Sequence, residues 1–271
     1  MDHPLIASIT WARRSVRAPS ATAVRVTLGA GVLGQDRRVD VARVQLADGR
    51  KADVRRLGSR TGRPVLYFHS PASSGEELDG TAGQAAHELD IDLLTIVRGS
   101  LADHEVHGSF MATVASDAVL LGEALSLESV VVLGWSGGGP YALAACDRLG
   151  LVASSAHLVS PLPGPLTGPD AVPHQSDRLQ QIAATSPTSS WVEAPGALRD
   201  YMALVAPWPF DVRSVAQHVT IWAPTADEIV PPRLVEHLAR QLPHAETVRV
   251  HGSHDWITAN WSTVLQRIAN S

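Results

Sequence analysis

Gly134-Trp135-Ser136-Gly137-Gly138-Gly139 is the stretch of this chain that speaks most directly of chemistry. It follows the apolar run Val130 to Leu133 and precedes the helix-like run Tyr141 to Ala145. A serine between a strand and a helix, flanked by glycines two positions away on each side, sits on a sharp turn with its hydroxyl pushed out at the strand end. The glycines are required because side chains at those positions would collide with the strand or the helix. The N-terminus of the following helix points at whatever the serine attacks, which favours developing negative charge.

A serine hydroxyl is a poor nucleophile near neutral pH. It needs a base within hydrogen-bond reach, and the base needs an acid to hold its tautomer and stabilise its cation. For an elbow of this kind the expected chain order is serine, acid, histidine. Asp227 is the acid candidate, in the loop Pro224 to Pro232 that follows the apolar run Val219 to Ala223, with Glu228 as its neighbouring rival. His254 is the base candidate among twelve histidines. It follows the last strand-like run and opens the last helix-like one, whereas its rival His251 belongs to the strand end.

The elements that must position these residues alternate. Val39 to Leu46 and Lys51 to Leu57 read as strands joined by an Asp48-Gly49 hairpin turn. Val65 to Phe68 reads as a buried strand, Gly80 to Leu89 as a helix, Leu93 to Val97 as a strand and Val114 to Leu125 as an amphipathic helix. Further strands are expected at Val130 to Leu133, Ala156 to Val159, Val219 to Ala223 and Thr247 to Val250. Helices are expected at Leu234 to Gln241 and Trp256 to Ala269. Such alternation implies a mostly parallel sheet covered on both faces. The segment from 161 to about 215 breaks the rhythm with Pro161, Pro163, Pro165 and Pro169 and reads as an insertion between core strands. Residues 1 to 38 carry Arg13, Arg14 and Arg17 and read as an N-terminal arm.

The composition suits one globular domain: 271 residues, 45% hydrophobic and 18% charged. A formal net charge of -5 gives no reason to expect nucleic-acid or acidic-membrane binding. The single cysteine, Cys146, excludes an intramolecular disulfide and any multi-cysteine metal site. No apolar run is long enough to cross a membrane, so a cytoplasmic location is expected. Lys51 is the only lysine among many arginines, alanines and valines, a composition that suggests a GC-rich bacterial genome.

The serine elbow, the Asp227-Glu228-Ile229-Val230-Pro231 loop and the Gly252-Ser253-His254 turn, in that order, resemble the α/β-hydrolase superfamily over residues 39–271. The resemblance implies an α/β fold with a mostly parallel eight-stranded sheet, helices on both faces and a small helical cap at about 161–215. It implies a cofactor-free, metal-free site with Ser136 as nucleophile, Asp227 as acid and His254 as base. It also implies an oxyanion hole of two backbone N–H groups. One would come from Gly137, the other from the loop after the strand ending at His69.

Two places depart from the family pattern. Many relatives read His-Gly-x-Pro in that loop, and the x residue donates. Here His69-Ser70-Pro71-Ala72-Ser73-Ser74-Gly75 puts Pro71 at x, and proline has no N–H. Three accounts stay open: the N–H comes from Ala72 or Ser70, the hydroxyl of Ser73 or Ser74 donates, or no acyl tetrahedral intermediate is stabilised. The second departure is Val97-Arg98-Gly99-Ser100, where many relatives have Asp-Arg-x-Gly: the arginine is kept and the aspartate is absent. The nearby Asp103, His104, Glu105 and His107 read more simply as a polar surface loop than as metal ligands, which need stricter spacing.

Trp135 flanks the nucleophile, and the cap carries Trp191, Tyr201, Trp208 and Phe210. Lining a cleft, these would suit a small apolar ester, lactone or thioester. A small-molecule substrate is the expected partner, and a homodimer is compatible with the sequence. The expected function is serine hydrolysis through an acyl-enzyme. A cofactor-free lyase, cyclase or carbon–carbon bond hydrolase using His254 as acid or base is the alternative, because the fold hosts many chemistries.

Overall fold

The computed structural model describes residues 27–28, 40–46, 48–71, 73–78, 80–101, 109–165 and 197–271. Nine strands among them form one sheet: β1 (Thr27–Leu28), β2 (Asp40–Gln45), β3 (Lys51–Gly58), β4 (Arg63–Phe68), β5 (Ile91–Ile96), β6 (Val130–Trp135), β7 (Ala153–Val159), β8 (His218–Pro224) and β9 (Ala245–Val250). Their spatial order is β1-β2-β3-β5-β4-β6-β7-β8-β9. From β5 to β9 every pairing is parallel, and β1 to β3 join antiparallel at one edge. Eight strands are those the sequence implies. The ninth, β1, is a two-residue pairing on β2 that lies within the expected N-terminal arm.

The hairpin between β2 and β3 turns where Asp48-Gly49 stands. Gly49 has φ +86 and donates its N–H to the Leu46 carbonyl. Sheet burial follows the two-residue period of the strands. Leu66 and Phe68 on β4, with Val130 and Val132 on β6, face α2 (Phe110–Ala124) and α3 (Gly138–Leu149). Val65, Tyr67, Val131 and Leu133 face the opposite layer of α1 (Thr81–Glu88), where Trp261, Val264, Leu265 and Ile268 also pack. Successive side chains on opposite faces, both covered, give the continuous apolar runs of a doubly covered sheet.

Four further helices complete the described chain: α4 (Ala197–Val205), α5 (Pro232–Gln241), α6 (Trp256–Ala259) and α7 (Trp261–Ala269). The closing helix expected from Trp256 to Ala269 is therefore two. Asn260 leaves the helical region at φ -129 and ψ 26, its side chain donates to the Trp256 carbonyl, and its own carbonyl accepts from Thr263. An asparagine that bonds local backbone competes with the helix, and the chain uses the break to redirect α7 onto the sheet. No helix among the described residues is long and apolar enough to cross a membrane. The polar segment 103–107 and most of the insertion, 166–196, lie outside the described residues.

Two buried histidines make the fold acid-sensitive. His157 lies on β7 between Leu133 and Thr220 of the flanking strands and is 2% exposed. Burial pushes its imidazole down to about 4, and the Arg267 guanidinium adds to this. Burial, with Arg98 nearby, holds His69 well below the ordinary histidine value too. The unfolded chain therefore binds protons first as pH falls below 6.5, and stability is lost between pH 6.5 and 4. His157 alone accounts for about 3 kcal/mol of that loss by pH 4. Urea unfolding at pH 7 and pH 4.5 should show a lower midpoint in acid, with a smaller drop for His157→Leu. Equal acid sensitivity in that variant would rule out His157 as the source.

Candidate active site

The site forms where parallel strands end. Ser136 follows β6, His69 follows β4, Asp227 follows β8 and His254 follows β9, all at carboxyl ends of the sheet. The turn at Ser136 is tight. Ser136 takes φ +54, a left-handed conformation that costs a non-glycine residue energy. Its N–H donates to Val159, and its carbonyl accepts from Gly139 and Leu162, so three bonds hold the strained residue. A Cβ at Gly138 would lie 2.0 Å from the Phe68 carbonyl oxygen, and one at Gly134 would lie 2.8 Å from Ala142 Cβ. The glycine spacing read from the sequence thus has a direct steric cause.

Ser136, His254 and Asp227 come together although 118 and 27 residues separate the bonded pairs. His254 Nε2 lies 2.8 Å from Ser136 Oγ, and its Nδ1 lies 2.9 Å from Asp227 Oδ2 and 3.2 Å from Oδ1. Asp227 Oδ1 accepts the N–H groups of Ile229 (2.9 Å) and Val230 (2.8 Å). Burial pushes the Asp227 carboxyl upward, but the His254 contact and the Val230 N–H outweigh it and keep the carboxyl below its ordinary value. It is therefore a carboxylate at neutral pH. Glu228 and His251, the sequence rivals, are exposed. The loops carrying Asp227 and His254 are joined as one unit, because Thr225 and Ala226 donate to the Val250 and Gly252 carbonyls.

The other expected residues take varied places. Trp135 donates its indole N–H to the His254 carbonyl at 3.0 Å, and its ring lies 5.9 Å from the imidazole. It thus holds the loop that carries His254. Tyr201 is half-buried on α4. Trp208 stacks on Phe210 at 5.6 Å, and both pack against the core cluster of α2 and α3. Trp191 and Ala72 lie outside the described residues. Leu204 of α4, which sequence reading did not single out, reaches the elbow. A Cβ on Gly137 would lie 2.8 Å from Leu204 Cδ1 and 2.7 Å from Pro71 Cδ and Cγ. No local signal marks Leu204, since its role depends on the fold of the insertion.

Gly137 stands at the N-cap of α3, where its N–H belongs to the helix N-terminus. The facing loop is largely turned in on itself. Ser73 and Ser74 donate their hydroxyls to Glu77 and Glu76. The N–H groups of Ser73, Ser74 and Gly75 bond to the Ser70 carbonyl, Glu76 and the Ser73 hydroxyl. Tyr67 also donates to Glu77 at 2.6 Å, which anchors the loop to β4. The hydroxyl alternatives for the second oxyanion donor are thus engaged elsewhere.

Arg98, preceded by Val97, finds its carboxylate in a distant segment. Arg98 is 1% exposed and bonds both oxygens of Asp200 on α4, at 2.8 and 2.9 Å. Burial raises the Asp200 carboxyl from its ordinary value, and Arg98 and the Tyr141 hydroxyl act against that rise.

This strand order, with the serine elbow after β6 and an acid and a histidine after β8 and β9, defines the class. The chain has the α/β-hydrolase fold. It is similar to the esterase EaEST from Exiguobacterium antarcticum (TM-score 0.69, 18% identity, covering 84% of this chain and 99% of that one). It is also similar to an α/β-hydrolase fold protein from Nakamurella multipartita (TM-score 0.61, 20% identity, 85% and 98%). A third similar structure is a 2-hydroxy-6-oxo-6-phenylhexa-2,4-dienoate hydrolase from a Rhodococcus species (TM-score 0.61, 17% identity, 81% and 94%). No protein-family model matches the chain, and no curated protein sequence matches it.

Proposed function

We propose that this chain is a serine hydrolase that cleaves a small, largely apolar carboxylic ester, lactone or thioester through an acyl-enzyme. One observation carries the reading: the unbroken line of hydrogen bonds from Ser136 Oγ through His254 to an ionised Asp227 held by backbone N–H groups. With Nδ1–H donated to the carboxylate, Nε2 keeps its lone pair towards the serine hydroxyl. Ser136 Oγ attacks the carbonyl carbon as His254 Nε2 takes its proton, and the oxyanion develops beside the Gly137 N–H. The imidazolium, stabilised by Asp227, returns the proton to the leaving oxygen or sulfur as that bond breaks. Water deprotonated by His254 then releases the acid and regenerates Ser136.

A second reading keeps the same residues for carbon–carbon cleavage, elimination or cyclisation, with His254 as acid or base. Pro71 supports it, since its ring rather than an N–H faces Gly137. Fluorescent alkylphosphonate labelling, mapped by peptide mass spectrometry, separates the two. The hydrolase reading expects stoichiometric modification of Ser136. A folded protein that stays unlabelled would favour the second reading and end the first.

A further inference from the structure

The cap helix α4 is tied to the core through a buried charge cluster that the proposed chemistry does not use. Asp200 is 3% exposed. It accepts from Arg98 on both oxygens and from the Tyr141 hydroxyl at 2.8 Å. Arg98 lies over the Tyr141 ring, 4.5 Å from its centroid, and donates to the His69 carbonyl at 2.9 Å. His69 Nδ1 bonds the Ser70 carbonyl at 2.7 Å, which leaves Nε2 to accept the Arg98 N–H at 3.4 Å. Arg199 adds a second tie from the same helix to the Leu101 carbonyl at 2.9 Å. Thus one carboxylate from the cap reaches α3 and, through one guanidinium, the start of the loop that carries Pro71.

Helix geometry turns this tie into a placement. Leu204 is four residues after Asp200 and shares its face of α4. With Asp200 seated on Arg98 and Tyr141, that face is turned so that Leu204 Cδ1 meets Gly137. The loop held by Arg98 brings the Pro71 ring to the same glycine. We infer that Asp200 is a positioning residue: acting through Arg98, it sets the His69–Pro71 loop and Leu204 together against Gly137 beside the nucleophile. Because the carboxylate that pairs with Arg98 comes from α4, cap seating and elbow surroundings are one arrangement. Its activity readout rests on the reading of Ser136 as nucleophile, and its exchange readout does not.

Two variants test it. Asp200→Asn removes the charge and one acceptor. The double variant Arg98→Met with Asp200→Leu replaces the pair with apolar groups and leaves no buried charge unpaired, so it is expected to fold. Hydrogen exchange should rise in peptides covering both 69–78 and 197–205, with β6 and β7 unchanged. For Asp200→Asn, kcat on a short aryl ester should fall about tenfold while KM moves less than about threefold, because groups beside the forming oxyanion are displaced. Three exchange results overturn the inference: looser cap peptides with an unchanged 69–78 segment, a uniform rise across the sheet, or no rise in either segment. Wild-type protein that neither turns over ester nor takes the phosphonate would remove the hydrolase reading, while the exchange pattern would still decide the role of Asp200.

Discussion

Ser136→Ala is expected to lower kcat on a short aryl ester by about a millionfold, as loss of a nucleophile that acts as one unit with its base does. Residual turnover would come from the Gly137 N–H and from binding alone. The loss should not reflect misfolding. Alanine at φ +54 carries about the same backbone strain as serine, and the three backbone bonds that hold residue 136 do not involve its side chain. Ser136→Gly sharpens the point. Glycine adopts the left-handed region freely, so this variant should be equally inactive yet more stable by about 1 kcal/mol. Kinetics with the aryl ester and urea midpoints check both. A Ser136→Ala enzyme within tenfold of the parent kcat would show that Ser136 does not form the acyl-enzyme.

Asp227→Asn should cost about 10⁴ in kcat with the structure intact, and its local bonding explains why. Oδ1 accepts from Ile229 and Val230, while Oδ2 faces His254 Nδ1. An asparagine would keep its oxygen on those two N–H donors and turn its NH2 group to the imidazole. Nδ1 would then have to accept, so the ring proton would move to Nε2, the atom that must take the proton of Ser136. The wrong tautomer is thereby enforced by backbone groups that the substitution leaves in place. Steady-state kinetics at pH 7 test this. Asp227→Asn activity within tenfold of the parent would mean that another group orients His254.

Local signals made much of this protein legible. The Gly134 and Gly138 spacing is steric, so it is written where the contacts occur. The apolar runs of β4 to β8 follow from a sheet covered on both faces, and each is a property of a few consecutive residues. The order of Ser136, Asp227 and His254 is legible because parallel strands end on one side and so gather the loops after β6, β8 and β9. The break at Asn260 was hidden because the apolar spacing of α7 continues through it, and only the local side-chain bond reveals the turn. Trp208 shows the converse. It is half-buried and stacks on Phe210 beside the core cluster of α2 and α3, a placement its type did not specify because aromatic side chains serve clefts and cores alike.

By itself, then, the sequence determined the strand–helix alternation, the elbow and the chain order of serine, acid and histidine, since each rests on short-range sterics or on strand polarity. Tertiary structure alone decided what surrounds Gly137. Pro71 and Leu204 converge there from segments 133 residues apart in sequence, and Asp200 meets Arg98 across 102. Burial drives those meetings. A guanidinium removed from water must find a carboxylate somewhere in the folded chain, and sequence separation sets no limit on where that partner comes from.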